Sequence, residues 1–209
     1  MAFVQYIPGV MEKLATRGRP REFDTDEALT AALGVFWRKG YDSASLTDLT
    51  EAMGITRPSL YAAFGNKEAL FRQALDLYER EKLAYVASAL EAPTARGLAE
   101  RLLHGAVALI SSPGCRGCMG VIASISCQGT DSPIRDAVLE RARSSRDALV
   151  ERMQRAIDEG DFHQPAEAET MTLYLSAVLQ GLSVLASGGA ATEQLQQVAD
   201  ATLAVWPSR

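Results

Sequence analysis

The sequence predicts an all-α protein: an N-terminal three-helix helix-turn-helix domain followed by a larger C-terminal helical ligand-binding and dimerisation domain. Apolar residues recur at helical spacing along most of the chain, and strand-like alternation never runs beyond about four residues. Cap residues and Gly/Pro breaks crowd the first part and thin out afterwards, so short helices precede long ones. With 47% hydrophobic and 22% charged residues, the 209-residue chain has a globular rather than a disordered composition.

Asp24-x-x-Glu27 makes a capping-box-like entry to a first helix that should stop at Gly40, with Ala28, Ala31, Ala32, Val35 and Phe36 as its apolar stripe. Ser45-x-x-Asp48 opens a short second helix with Leu46, Leu49 and Met53 on one face, closed by Gly54. Thr56 caps a third helix, with Pro58 in the first turn where its missing N–H costs little. That helix ends near Gly65, and Asn66 caps a long fourth helix expected to run to about Ala92. Further helices are expected near 94–112, 119–128, 132–159, 166–187 and 192–206, separated by Pro113-Gly114, Gly129 with Pro133, Gly160 to Pro165 and Gly188-Gly189. The expected division is a flexible basic arm over 1–21, a DNA-binding domain over 22–67 and a regulatory domain over 68–209.

Charge locates a function. The formal net charge is −5, which excludes a strongly basic polyanion binder but not a local basic patch. Lys13, Arg17, Arg19 and Arg21 form a run without an acidic residue, interleaved with Gly18 and Pro20. An arm of this composition suits nucleic-acid phosphates or a minor groove, or serves only as a solubilising tail. Gly54-Ile55-Thr56 is the short glycine-containing turn expected between the two helices of a helix-turn-helix. Leu46, Leu49, Met53, Ile55, Leu60 and Phe64 would lock those helices together, leaving Thr56, Arg57, Pro58, Ser59, Tyr61 and Ala62 outward. Short side chains allow close approach to a major groove, and Arg57 has the fork that matches guanine. Ser45 and Thr47 join this candidate set from the start of the second helix. Lys67 lies in the first turn of the fourth helix, where a cation opposes the helix dipole, so a phosphate is the expected reason for it. A tri-helical protein-interaction module is the alternative for this region.

Residues 19–73, and above all Ile55 to Phe71 with their Tyr-x-x-Phe-x-x-Lys-x-x-Leu pattern, resemble the DNA-binding domain of TetR/AcrR-type transcriptional regulators. The stretch "GLSVLASGGA" before the last helix resembles the regulatory half of that family in arrangement. The resemblance implies a homodimer on a palindromic operator, probed by Tyr61 and Lys67 on backbone phosphates and by Thr56, Arg57 and Ser59 on bases. It also implies a repressor released by a small effector bound in the helical domain.

In the regulatory half, Met171, Leu175, Val178, Leu182 and Leu185 repeat with the near-heptad period of a helix seam, while Tyr174, Ala177 and Gly181 line a smaller face. Leu195, Val198, Thr202 and Val205 repeat similarly in the last helix. Helices with two apolar faces are buried on both sides, so Val178, Gly181, Leu182, Leu185, Leu195, Val198 and Thr202 form the candidate dimer interface, with burial in one large monomer core as the alternative. Leu103, Val107, Met119, Ile122, Met153 and Tyr174 would bound a mostly apolar pocket, with His104, Ser124 and Tyr174 as polar handles for a small lipophilic or aromatic effector. Cys115 and Cys118 have CxxC spacing ahead of a short helix, where the helix N-terminus and Arg116 favour thiolate. Packing and pocket lining, redox or electrophile sensing, and metal binding all remain open for these cysteines and Cys127. Against a metal, Cys127 is out of phase with Cys118, and His104 and His163 are the only histidines.

No GxSxG, HExxH or Walker loop occurs in the sequence, and no cofactor or metal is expected. The rival to a regulator is a helical enzyme or carrier that turns over or stores a lipophilic ligand. Three cysteines in a chain of this length suit a reducing compartment rather than a disulfide scaffold. The opening Met1 to Met11 lacks a basic n-region, no apolar run is expected to reach bilayer-spanning length, and a cytoplasmic location is expected. Operator, target genes, effector, and repression versus activation are not written in the sequence.

Overall fold

Each of the four N-terminal helices starts at a polar side chain that satisfies its free N–H groups. In the computed structural model, which describes residues 23–112, 119 and 133–208, the Asp24 carboxylate accepts from the N–H of Asp26 at 2.7 Å and of Glu27 at 3.1 Å, opening α1 (Thr25–Ser43). α2 (Leu46–Met53) starts at a complete capping box: Asp48 N–H donates to Ser45 Oγ at 3.0 Å, and Ser45 N–H donates to Asp48 Oδ2 at 3.0 Å. Gly54 closes it at φ 65, a left-handed conformation that favours glycine. Thr56 opens α3 (Arg57–Phe64), and Asn66 opens α4 (Lys67–Lys82) by accepting from Ala69 N–H at 2.7 Å.

Two expectations about these helices are corrected. α1 does not stop at Gly40: the glycine adopts φ 74 and ψ 172, kinks the chain, and one more turn follows to Ser43. The kink lays Tyr41 against Phe71, with ring centroids 5.1 Å apart. The fourth helix does not run to Ala92 either. It breaks at Leu83 (φ −101, ψ 12), and α5 (Ala84–Leu90) continues in a new direction. Neither Gly nor Pro marks that break, so local sequence carries no signal for it.

α1 to α4 enclose a core in which Phe36 meets Phe71 edge-on at 5.0 Å and Trp37 meets Tyr78 at 5.0 Å. Leu49, Leu60 and Leu70 are completely buried there, each such side chain contributing about 1.5–3 kcal/mol. Met119, Ile134 and Val138 reach into the same core from much later in the chain, and Met119 N–H donates to the Tyr78 hydroxyl at 3.3 Å.

The remaining helices are α6 (Ala95–Ile110), α7 (Pro133–Asp158), α8 (Ala168–Ser187) and α9 (Thr192–Ala204), giving nine helices and no strand among the described residues. Their second core joins Leu98, Leu102, Leu103, Met153, Leu175, Leu182, Leu195 and Trp206. The Arg152 guanidinium is buried in this half and donates to Ala92 O at 2.6 Å. The buried Asp161 carboxylate accepts from Ala95 N–H at the start of α6. The expected 119–128 helix lies outside the described residues except for Met119. α8 corrects the expectation about membrane-spanning length: by length and composition its 20 residues, with an 18-residue stretch of mean hydropathy 1.3, are long and apolar enough to cross a bilayer. One side of α8 is committed to the chain's own core through Thr172, Leu175, Leu182 and Ser183.

Candidate nucleic-acid interface

α2 and α3 are joined by the Gly54 turn, and Leu60 and Phe64 of α3 point into the core with Leu49 and Met53 of α2. That phase turns Arg57, Pro58, Tyr61 and Ala62 outward, with Tyr61 49% exposed. The Thr56 hydroxyl lies 2.9 Å from Ser59 Oγ and accepts from Ser59 N–H, so both polar side chains sit at the helix entry. Ser59 is half-buried rather than fully outward. Arg57 Nη2 donates to Thr47 Oγ1 at 2.8 Å, bringing α3's exposed cation onto the start of α2. Ser45, also exposed, spends its hydroxyl on Asp48 at 2.8 Å. Arg17, Arg19 and Arg21 lie outside the described residues.

Lys39 adds an ion pair that the sequence pattern did not single out: its Nζ lies 2.6 Å from Asp48 Oδ1. The Lys39 hydrogen bond, followed by those from Ser45 N–H and Ser45 Oγ, holds the Asp48 carboxyl well below the usual carboxylate range. Lys67 has an intramolecular partner that the sequence does not announce: its ammonium sits over the Tyr41 ring, 4.5 Å from the centroid. Burial lowers the Lys67 pKa and the nearby Asp42 charge partly restores it.

The described residues of the pocket predicted from the sequence divide between three places. Leu103, Val107 and Met153 are buried in the second core, whereas Met119 packs in the first. Tyr174 lies at the surface, stacked on Trp206 at 6.0 Å. His104 is partly exposed, with Nε2 3.5 Å from Asp200 Oδ1. Cys115, Cys118, Cys127, Ile122 and Ser124 lie outside the described residues. A mostly apolar cavity of about 470 Å³ is lined by other residues, Leu83, Tyr85, Leu102, Ala106, Leu109, Leu149 and Leu179, with Glu79, Gln180 and Ser183 among its polar groups. On α6 Leu102 belongs to both surroundings, packed in the second core beside Leu103 and also lining the cavity.

Beside this cavity Arg141 of α7 forks onto α4, with Nη1 2.7 Å from Glu79 Oε2 and Nη2 2.6 Å from Asp76 Oδ1. Burial opposes the guanidinium charge, but the bonds to Asp76 and Glu79 outweigh it and raise its pKa. Sequence spacing offers no hint of this contact, because 62 residues separate Arg141 from Glu79.

The predicted interface residues divide between two faces. Leu182, Leu195 and Thr202 are buried in the chain's own core, and Val178 is half-buried. Gly181, Leu185 and Val198 are exposed, alongside Leu173 (52%), Val184 (59%) and Val205 (70%). Outward apolar side chains thus cover one continuous sector of α8, and Val198 of α9 and Val205 just after it are exposed as well.

The family model described as bacterial regulatory proteins, tetR family, matches residues 28–74. HTH-type transcriptional repressor ComR of Escherichia coli K12 is 32% identical over 195 residues, covering 92% of this chain and 93% of ComR. HTH-type transcriptional repressor BdcR of the same organism is 33% identical over 180 residues, covering 85% of this chain and 86% of BdcR. A solved structure of a cysteine mutant of the TetR family regulator CifR, complexed with 26-bp double-strand operator DNA, is 42% identical with a TM-score of 0.81, covering 90% of this chain and 100% of that one. With similarity running through the helix-turn-helix and the long helical half alike, this chain belongs to the TetR family of bacterial transcriptional regulators.

Proposed function

We propose that the chain represses transcription as a homodimer on a palindromic operator and leaves the DNA when a small lipophilic effector occupies its helical half. One observation carries the DNA-binding part: α3 buries Leu60 and Phe64 and presents Arg57, Pro58, Tyr61 and Ala62 on the opposite side. An exposed helix of this kind, with short side chains around one guanidinium, has the shape and donors of a major-groove reader. In this reading residues 22–67 bind DNA and residues 68–209 regulate, with Arg17, Arg19 and Arg21 reaching phosphates or a minor groove. Ser45, Thr47, Tyr61 and Lys67 flank the reading surface, and Lys67 contacts phosphate in addition to the Tyr41 ring.

The exposed sector of α8 and α9 supports pairing of two copies, because apolar side chains such as Val184 and Val205 gain from burial. Residues Gly181, Leu185 and Val198 then face the second copy, while Leu182, Leu195 and Thr202 support them from within. The 470 Å³ cavity is the effector site in this reading, in place of the set around Leu103 and Met153. A regulator working in the cytoplasm, sensing rather than turning over its ligand, is the reading the similarity to HTH-type repressors supports. Selecting bound duplexes from a random pool with the purified protein tests the reading. Recovery of a two-fold symmetric sequence is expected, and recovery of no preferred sequence sinks it.

A further inference from the structure

Among the described residues that line the cavity between α5, α6, α7 and α8, most are apolar, one side chain is charged, Glu79, and one is aromatic, Tyr85. The charge carried by these residues is therefore negative. Glu79 is shared with Arg141, but that guanidinium also holds Asp76, so two carboxylates face one cation and the cluster retains a net negative charge. Arg141 is not among the described lining residues, so these residues offer a carboxylate and no cation to an entering molecule. Resting on the reading of this cavity as the effector site, the geometry points to a lipophilic monocation as the class of effector. Its charge sits between the Glu79 carboxylate and the face of the Tyr85 ring, and its apolar body lies against Leu102, Leu109 and Leu149.

A second feature shapes the aromatic side of the site. Gly105 of α6 lies under the Tyr85 ring so closely that a Cβ built there falls 2.2 Å from Tyr85 Cδ2. Any larger residue at 105 displaces the ring. The absence of a side chain at Gly105 thus sets where the ring face stands relative to the cavity. A ring fixed in this way beside a carboxylate is a recognised means of holding an organic cation without the cost of fully desolvating a point charge. The same placement links binding to the DNA module. A cation that takes Glu79 leaves Arg141 with Asp76 alone and loosens the tie between α7 and α4. α4 forms part of the core that carries α2 and α3.

Calorimetry on the full chain tests the assignment with three probes of matched shape: phenylbutyl-trimethylammonium, phenylbutanol and phenylbutanoate. The cation is expected to bind about tenfold more tightly than the alcohol, a factor within the range of cation–aromatic contacts, and the carboxylate most weakly. Glu79→Gln keeps a hydrogen-bonding group for Arg141 and is expected to bring cation and alcohol to about equal affinity. Tyr85→Leu is expected to weaken the cation more than the alcohol, and Gly105→Ala to weaken all three by moving the ring. Alcohol or carboxylate binding the unmodified protein as tightly as the cation overturns the assignment, as does a preference that survives both Glu79→Gln and Tyr85→Leu. Operator release measured in parallel separates the two levels. Equal release by all three probes keeps the cavity as an effector site and removes the charge preference, whereas failure of every probe to bind removes both.

Discussion

The two halves of this chain rely on helix caps to different degrees. α1, α2, α3 and α4 each start at a side-chain cap, from Asp24, Ser45, Thr56 and Asn66 respectively. Beyond them α6 is also capped, by Thr94, which accepts from Gly97 N–H at 3.0 Å, but α5 and α8 have no side-chain cap, and α9 has at its entry Gln194 Oε1, which accepts from Ala191 N–H at 2.9 Å. An eight-residue helix such as α2 or α3 makes few internal hydrogen bonds, so one cap is a large fraction of what stabilises it. A 20-residue helix such as α8 makes many, and its position is decided by the faces it buries. The difference teaches that the reading surface is set by local chemistry and the regulatory half by long-range packing.

Substitutions break that contrast in a graded way. Val184→Glu, on the exposed face of α8, is expected to leave the fold intact yet give monomers by sedimentation and abolish high-affinity operator binding; a dimer that persists denies that face its role. Leu60→Ala, in the fully buried centre of the N-terminal core, is expected to lose about 2–5 kcal/mol in denaturant unfolding. Arg57→Ala is expected to cost about 1–3 kcal/mol in operator affinity and relax specificity at one base position, read by a competition assay across variant operators. Its unfolding midpoint should hardly move, since Arg57 is exposed.

A smaller effect sharpens the argument about caps. Thr56→Ala is expected to cost about 0.5–2 kcal/mol, whereas removing the exposed Glu167 side chain at the entry of the uncapped α8 should change stability by less than about 0.5 kcal/mol. The smallest effect concerns acid. Asp48 has its pKa lowered in the folded chain, chiefly by Lys39, so its contribution is present above the ordinary carboxylate pKa of about 4 and is lost as pH falls below it. Asp48→Asn should flatten that part of the stability–pH curve without altering the neutral plateau's slope. An unchanged acid limb shows that this exposed pair contributes nothing to folding.

How much was legible follows the same division. Ser45, Thr56 and Asn66 occupy the cap positions predicted for them, and Gly54 and Gly65 close α2 and α3 as expected, because each device acts within four residues. The break at Leu83 was not legible, since no residue there departs from helical preference. The role of Lys67 was half legible: the helix dipole argument identified an unusual cation, but the Tyr41 ring beneath it arrives only through the kink at Gly40. The apolar repeat of α8 correctly announced two faces. It did not tell which face turns inward, so Leu182 and Leu185 entered one set although the first is buried and the second exposed.

The sequence alone determined the helical class, the entry and exit of the short helices and the outward set Arg57, Pro58, Tyr61 and Ala62. Periodicity and capping are local, and local chemistry survives without knowledge of neighbours. The tertiary structure alone decided which side of α6 lines the cavity, which face of α8 stays exposed, and that Arg141 reaches back to Asp76 and Glu79. Those outcomes depend on the rotation of one helix against another, which the periodicity of residues along a single helix does not fix.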